Sequence, residues 1–216
     1  MDDGRPMAGR AEDGGECPVI RRRARLAAEG LHLVCLGAWA GSLAMTAATA
    51  AIIVPTMRDL SPALPEYGGY PEDHWVIGAG QVMEQVFTVS DVAQVALGGI
   101  ACALFVPIAL SERRGRSLLA VRAFVLAALF ASVLQYTFVM RGEMSGALVR
   151  FWSAAETGNV EAANEARAAF DELHPRASLR LSLHMAGAAI GIALCVYSLW
   201  RRSGDEAPRQ VDGTAE

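Results

Sequence analysis

The sequence predicts an all-α integral membrane protein, a four-helix transmembrane bundle with an amphipathic helix in its second external loop. Three observations lead to this fold class. Of the 216 residues, 53% are hydrophobic and only 19% are charged, and the mean hydropathy is +0.28, which is too apolar for an ordinary soluble domain. Four segments are apolar over the length of a membrane-crossing helix. The arginines flanking these segments fall on one side of the resulting topology.

The four apolar segments define the membrane domain. A helix of roughly 20 residues crosses a hydrocarbon core of about 30 Å, and the segments long enough to do so are 31–54, 86–110, 117–139 and 178–200. The first carries no charge and is followed by Pro55, and the third carries only Arg122. We therefore predict a membrane domain over 31–200, with disordered cytoplasmic tails at 1–30 and 201–216.

Arginine placement predicts the orientation. Basic residues cluster before the first segment, between the second and third, and after the fourth, at 21–25, 113–116 and 201–202. An even number of spans brings these clusters to one side, and the positive-inside rule makes that side cytoplasmic. Both termini are then cytoplasmic, in a membrane that we expect to be the bacterial inner membrane. The first apolar segment is longer than the hydrophobic region of a cleaved signal peptide, which favours a retained helix.

The second external loop, 141–177, contains a helical pattern of apolar residues. Val160, Ala163, Ala166, Phe170 and Leu173 recur at spacings of three and four, which is typical of one face of a helix. We predict an amphipathic helix there, lying on or over the mouth of the bundle.

Glycines four residues apart predict close helix packing in lipid. Gly37 and Gly41 have this spacing in the first segment, and Gly187 and Gly191 have it in the fourth. Small residues at such positions allow two helix backbones to approach closely.

Polar residues at similar depth in three segments predict a site near the external side. One stripe along the second helix is formed by Gln81, Glu84, Thr88 and Asp91. Across the three segments, the residues that we predict as ligands for an ion or solute are Glu84, Asp91, Gln135, Arg180 and His184. Charges inside a membrane are costly unless they are paired, so we expect Asp91 to pair with His184 and Glu84 with Arg180. The alternative is that these groups only form hydrogen bonds between helices.

Histidines and cysteines offer candidate metal ligands. His74, His174 and His184 lie on or near the external side and suit copper or zinc, whereas His32 lies at the cytoplasmic end of the first helix. A haem held by both His32 and His184 would have to bridge most of the bilayer. Cys35, Cys102 and Cys195 fall in the cytoplasmic halves of their helices, where they suit a soft metal such as Cu(I) or serve as small apolar side chains.

Two classes of chemistry are excluded by composition. All 19 basic residues are arginine and the chain has no lysine, so a phosphate-binding P-loop lysine and a Schiff-base lysine are both absent. The arginines fall in small groups spread along the chain and do not form one extended basic patch, which argues against binding to nucleic acid.

Short motifs in the spans resemble a known family. The motifs are Trp39-Ala40-Gly41 and Pro55 in the first span, Ala79-Gly80 and Phe87 around the second, and Phe170, Leu173-His174 and Ser178 before the fourth. Their order is similar to that of the four-span family that includes transmembrane protein 205. This resemblance covers most of 31–200 and implies a four-span membrane protein whose family has no established biochemical function.

A more distant resemblance concerns the first span. Leu31-His32 followed by Trp39-Ala40-Gly41 looks like the opening helix of copper-resistance D-type membrane proteins and of the related four-span protoporphyrinogen oxidases. In the oxidases the first-span histidine is associated with haem b, and the resemblance would assign that role to His32.

Three hypotheses about function follow from the sequence. The first is a non-enzymatic membrane protein that requires no cofactor and handles a metal ion or a small solute at the external polar cluster. The second is a haem-linked or copper-linked redox protein that uses His32 or His184. The third is a structural or accessory subunit. In each case the bilayer surrounds the chain, and a second copy or a partner membrane protein is the expected contact.

Overall fold

The computed structural model describes residues 18–112 and 116–205, and these residues contain helices and no strand. Five α-helices follow one another: α1 (Pro18–Leu60), α2 (His74–Ser111), α3 (Arg116–Gln135), α4 (Arg141–Glu156) and α5 (Val160–Asp205). A short 3₁₀-helix, Pro65–Tyr67, lies between α1 and α2. A π-helical turn, Tyr136–Met140, joins α3 to α4 without a break and is called the π segment below. The protein is an all-α four-helix bundle.

Four helical stretches are long and apolar enough to cross a membrane, which confirms the predicted spans. They are Arg23–Leu60, His74–Ser111, Arg116–Glu156 and Val160–Arg202, each 38 to 43 residues long. At 1.5 Å per residue each is roughly 57–65 Å long, about twice the thickness of the hydrocarbon core. The protein is therefore an integral membrane protein whose helices are longer than a hydrocarbon core requires.

The helices extend past the predicted span boundaries. Helix α1 begins at Pro18, so residues 18–30 are helical although we predicted them as tail, and α5 continues to Asp205. Residues 1–17, 113–115 and 206–216 lie outside the described residues. We call the end where α1 begins and α5 ends the terminal end, and the opposite end the hairpin end.

The separate amphipathic loop helix is not confirmed. Residues 160–173 form the first turns of α5, which runs through Pro175 into the fourth span. The predicted apolar face is nevertheless packed, because Ala163 and Ala166 are buried against Phe151 of α4 and the tyrosines of the first loop. Helices α4 and α5 thus form a helical hairpin that projects from the bundle.

The first loop closes tightly on this hairpin. Gly158, in the turn between α4 and α5, has φ = +69°, a conformation that glycine adopts without strain. A Cβ atom on Gly69 would lie 3.2 Å from the Gly158 Cα atom. His74 fixes the same loop, since Nδ1 accepts a hydrogen bond from the Leu64 amide and Nε2 donates one to the Tyr70 carbonyl, each at 3.0 Å.

The apolar core lies midway along the bundle around Trp39, whose side chain is fully buried. Glycine packing is only partly as predicted. A Cβ atom on Gly187 would lie 3.1 Å from Leu129, so α5 packs closely on α3 at that point, whereas Gly37 and Gly41 have no described neighbour within 4 Å of such an atom. The tightest contact involves Gly98, where a Cβ atom would lie 2.5 Å from the Phe130 ring.

A buried ion-pair network joins the helices at the terminal end. The Glu29 carboxylate of α1 is completely buried and accepts two hydrogen bonds from Arg122 of α3, at 2.8 and 3.2 Å, and one from Arg202 of α5 at 2.8 Å. Glu112, just after α2, pairs with both Arg25 and Arg202. The network therefore joins α1, α3 and α5 to the residue that directly follows α2.

Candidate functional site

A second polar cluster, at the hairpin end, is built around Arg141. Its Nε donates to Asp91 Oδ2 at 3.1 Å, and its guanidinium lies 2.8 Å from Glu84 Oε2 and donates to the Glu84 carbonyl at 3.2 Å. The Ser145 hydroxyl donates to Glu84 Oε1 at 2.7 Å. We call Glu84, Asp91, Arg141 and Ser145 the Arg141 cluster. It joins α2 to α4.

These contacts correct the predicted ion pairs. We expected Asp91 to pair with His184 and Glu84 with Arg180, but both carboxylates are bound by Arg141. The apolar length of the third segment predicts that Arg141 begins the second external loop. Because the third span continues as a helix past this residue, the guanidinium reaches the carboxylates from within the bundle.

The π segment sets the direction of the Arg141 side chain. The Arg141 amide donates to the carbonyl of Tyr136, five residues earlier, instead of four as in an α-helix. One extra residue in a turn rotates all that follows by about 100°. This rotation allows Tyr136 and Arg141 both to be buried on the bundle side. Such single π turns occur frequently at functional sites.

A cavity of about 400 Å³ lies on one side of the Glu84–Arg141 ion pair, enclosed by α1, α2, α4 and α5. We call it the hairpin-end cavity. Most of its wall is apolar and includes Ala50, Val54, Ala79, Met83, Phe87 and Met144. Glu84, Arg141 and Tyr136 bring polar atoms to one edge, and α5 adds Arg167, Asp171 and His174 to the lining.

An open groove of about 500 Å³ is also lined by both residues of this ion pair. We call it the lateral groove. It runs between α2 and the third span, and Glu84, Thr88 and Asp91 of the predicted stripe all line it. Thr137 and Phe138 of the π segment form the facing wall.

The other predicted site residues lie in a separate group. His184 is buried, with Nε2 3.0 Å from the Ser132 hydroxyl and its ring edge-on to Tyr136. Arg180 donates to the same hydroxyl at 3.4 Å. Gln135 is exposed on the surface of α3 and lines neither the cavity nor the groove. The structure thus divides the predicted cluster into two groups, which meet at Tyr136.

The candidate metal ligands are dispersed. Both ring nitrogens of His74 are used in loop hydrogen bonds, His174 is exposed beside Phe170, and His32 is buried against Phe105 near the terminal end. Among residues 18–112 and 116–205, no group of three or more His, Cys, Asp or Glu side chains is placed to hold a metal ion. Binding of copper, zinc or haem stays a prediction.

The cysteines occupy different surroundings. Cys35 donates to the Leu97 carbonyl at 3.3 Å, and Cys195 lies beside the terminal network, 3.6 Å from Arg122 and 3.7 Å from Glu29. Cys102 is partly buried in the apolar core.

No model of a protein family, no curated protein and no solved structure matches this chain significantly.

Sequence reasoning missed Arg141, Ser145 and Ser132. Of the three, only Arg141 has a signal in the sequence, because it lies just after the apolar third segment, at the same end as the polar stripe of the second segment that contains Glu84. An arginine and an acidic stripe at the same end of neighbouring spans predict an ion pair. The two serines carry no comparable signal.

Proposed function

We propose that this integral membrane protein binds a small, largely apolar solute that carries one polar group, in the hairpin-end cavity. The observation that carries the proposal is a largely apolar cavity of about 400 Å³ with the partly buried Glu84–Arg141 ion pair at one edge. This volume is within the range of about 300–1,000 Å³ that is typical of small-molecule sites. Such sites combine apolar walls with a few polar groups that fix orientation.

The polar edge supplies both hydrogen-bond donors and acceptors. Arg141 donates, the Glu84 carboxylate accepts, and the Tyr136 hydroxyl can do either. All three line the same cavity. A solute with a hydroxyl, carbonyl or amine group would find a partner there, while its apolar part contacts the side chains of α1 and α2.

We propose further that the cavity opens on the external side of the membrane. The arginine-rich stretches 21–25 and 201–202 adjoin the terminal end, and the positive-inside rule places that end in the cytoplasm. The hairpin end, with the cavity, would then face outward.

The experiment is photolabelling of the full chain in phosphatidylcholine nanodiscs with a neutral alkyl alcohol that carries a diazirine. Labelled peptides are mapped by mass spectrometry. We expect labels on the cavity residues Met83, Phe87 and Met144. The variant Ala50→Phe, which fills one wall of the cavity, should reduce those labels about tenfold or more.

A matched control is available on the same helix. Ala44 is exposed on α1 and lines neither the cavity nor the groove, so Ala44→Phe should leave the labels unchanged. Equal labelling in the wild-type protein and the Ala50→Phe variant would contradict the proposal. So would labels spread evenly over lipid-facing side chains such as Phe124.

A further inference from the structure

We propose that the lateral groove is a second binding site, which takes the primary ammonium group of an amphiphile from the surrounding leaflet. The groove shares Glu84 and Arg141 with the hairpin-end cavity and is otherwise lined by different residues. Three features support the site: an incompletely paired carboxylate, an excess of negative charge, and an apolar groove open at the surface of the protein.

The carboxylate is that of Asp91, which is only 6% exposed and lines the groove. Its Oδ2 accepts a hydrogen bond from Arg141, but its Oδ1 receives none from any described residue. A buried carboxylate oxygen without a donor is costly, because it loses its hydration without compensation. The groove therefore presents an acceptor that a ligand can satisfy.

Charge balance points to a cation. Glu84 and Asp91 share the single guanidinium of Arg141, which leaves one negative charge uncompensated when both carboxylates are ionised. An uncompensated charge on a buried group such as Asp91 is unfavourable. A bound cation would restore neutrality without disturbing the existing ion pairs, since Arg141 occupies Oδ2 and Oδ1 has no described donor.

The remaining groups favour an ammonium with hydrogens to donate and an apolar tail. The Thr137 hydroxyl in the facing wall is buried and has no described partner, so a second unsatisfied acceptor lines the same groove. A primary ammonium has three N–H donors, whereas a quaternary ammonium has none. Val92, Val95 and Ala96 continue the groove along α2 and provide an apolar surface for an alkyl chain.

The test uses three photoreactive probes with one alkyl chain, a diazirine in that chain, and different head groups: a primary amine, a trimethylammonium and a carboxylate. Each is added to the full chain in phosphatidylcholine nanodiscs. The primary amine should label Val92, Ala96 and Phe138 about tenfold more strongly than the other two, since charge-assisted hydrogen bonds are the strong ones. Unlabelled phosphatidylethanolamine and unlabelled octylamine as competitors distinguish a lipid head group from a free amine.

Asp91→Asn keeps the size of the side chain and removes its charge, and it should lower labelling by the amine probe about tenfold. Asp59→Asn, at an exposed residue near the end of α1, is the matched control and should have no effect. If the Asp91 variant fails to fold, Val95→Phe decides, because it fills the groove and leaves every ion pair intact.

Equal labelling by the three probes overturns the proposal, as does amine labelling that neither variant changes. The two proposed sites fail separately. Val95→Phe should abolish amine labelling and spare labelling of the cavity by the neutral alcohol, whereas Ala50→Phe should do the reverse.

Discussion

Removing one partner from the terminal ion-pair network should destabilise the protein strongly. Glu29 is fully buried, and its two carboxylate oxygens hold Arg122, itself only 5% exposed. In Glu29→Leu, the Arg122 guanidinium stays buried without its carboxylate. Leaving one member of a buried pair uncompensated costs about 3–5 kcal/mol. Arg202 loses less, because Glu112 still binds it.

A double variant tests the coupling between Glu29 and Arg122 more directly. Arg122→Met alone leaves the Glu29 carboxylate buried with only Arg202 as a partner, and it should cost a similar amount. Glu29→Leu with Arg122→Met removes both charges and replaces them with apolar side chains of similar size. The double variant should therefore be clearly more stable than the sum of the single losses predicts, because neither charge is left unpaired.

The measurement is the free energy of unfolding in mixed detergent micelles for the wild type, the two single variants and the double variant. Glu172→Gln is the control, since its ion pair with Arg176 is long at 3.7 Å and highly exposed, and its loss should cost less than about 1 kcal/mol. If the losses in the two single variants simply add in the double variant, Glu29 and Arg122 are not coupled and the account of the network is wrong.

Two further predictions concern packing and pH. Gly98→Ala should lower the free energy of unfolding by about 1–3 kcal/mol, because its Cβ atom would lie 2.5 Å from the Phe130 ring. Gly37→Ala is the control and should leave the free energy of unfolding unchanged, because the space around Gly37 is open. Equal effects of the two substitutions in thermal unfolding would contradict this prediction. Burial raises the pKa of the Tyr70 phenol, so its neutral form stabilises the fold below about pH 10 and this contribution is lost as pH rises through the raised pKa. The free energy of unfolding should fall between pH 8 and 11 in the wild type, and it should fall less in Tyr70→Phe. Identical pH dependence in the two proteins would refute this prediction.

The number and type of spans could be predicted because they depend on local properties of the sequence. Apolar length and arginine placement are readable without tertiary structure, and the four spans follow from them. The boundaries could not be read in the same way. Arg25 and Glu29 look like tail residues because they are charged, yet they lie within α1 and are paired with groups from the other spans.

The candidate site was partly predictable for a related reason. Glu84 and Asp91 share a face of α2 by helical spacing alone, and both line the lateral groove. Their partner depends on the π segment, which changes the direction of every side chain after Tyr136. No periodic pattern in the sequence predicts a single extra residue in a helical turn. A prediction that assumes a regular α-helix therefore selects His184 and Arg180 as the partners.

Two arginines of the third span relate both polar clusters to the lipid. Arg122 and Arg141 are separated by nineteen positions of nearly continuous helix, which corresponds to roughly 28 Å, close to the thickness of the hydrocarbon core. Each is paired with carboxylates of neighbouring helices. If these arginines mark the two boundaries of the core, the Arg141 cluster lies at head-group depth. An amphiphile with its tail along Val92 and Val95 would then present its ammonium group to Asp91 without leaving the leaflet.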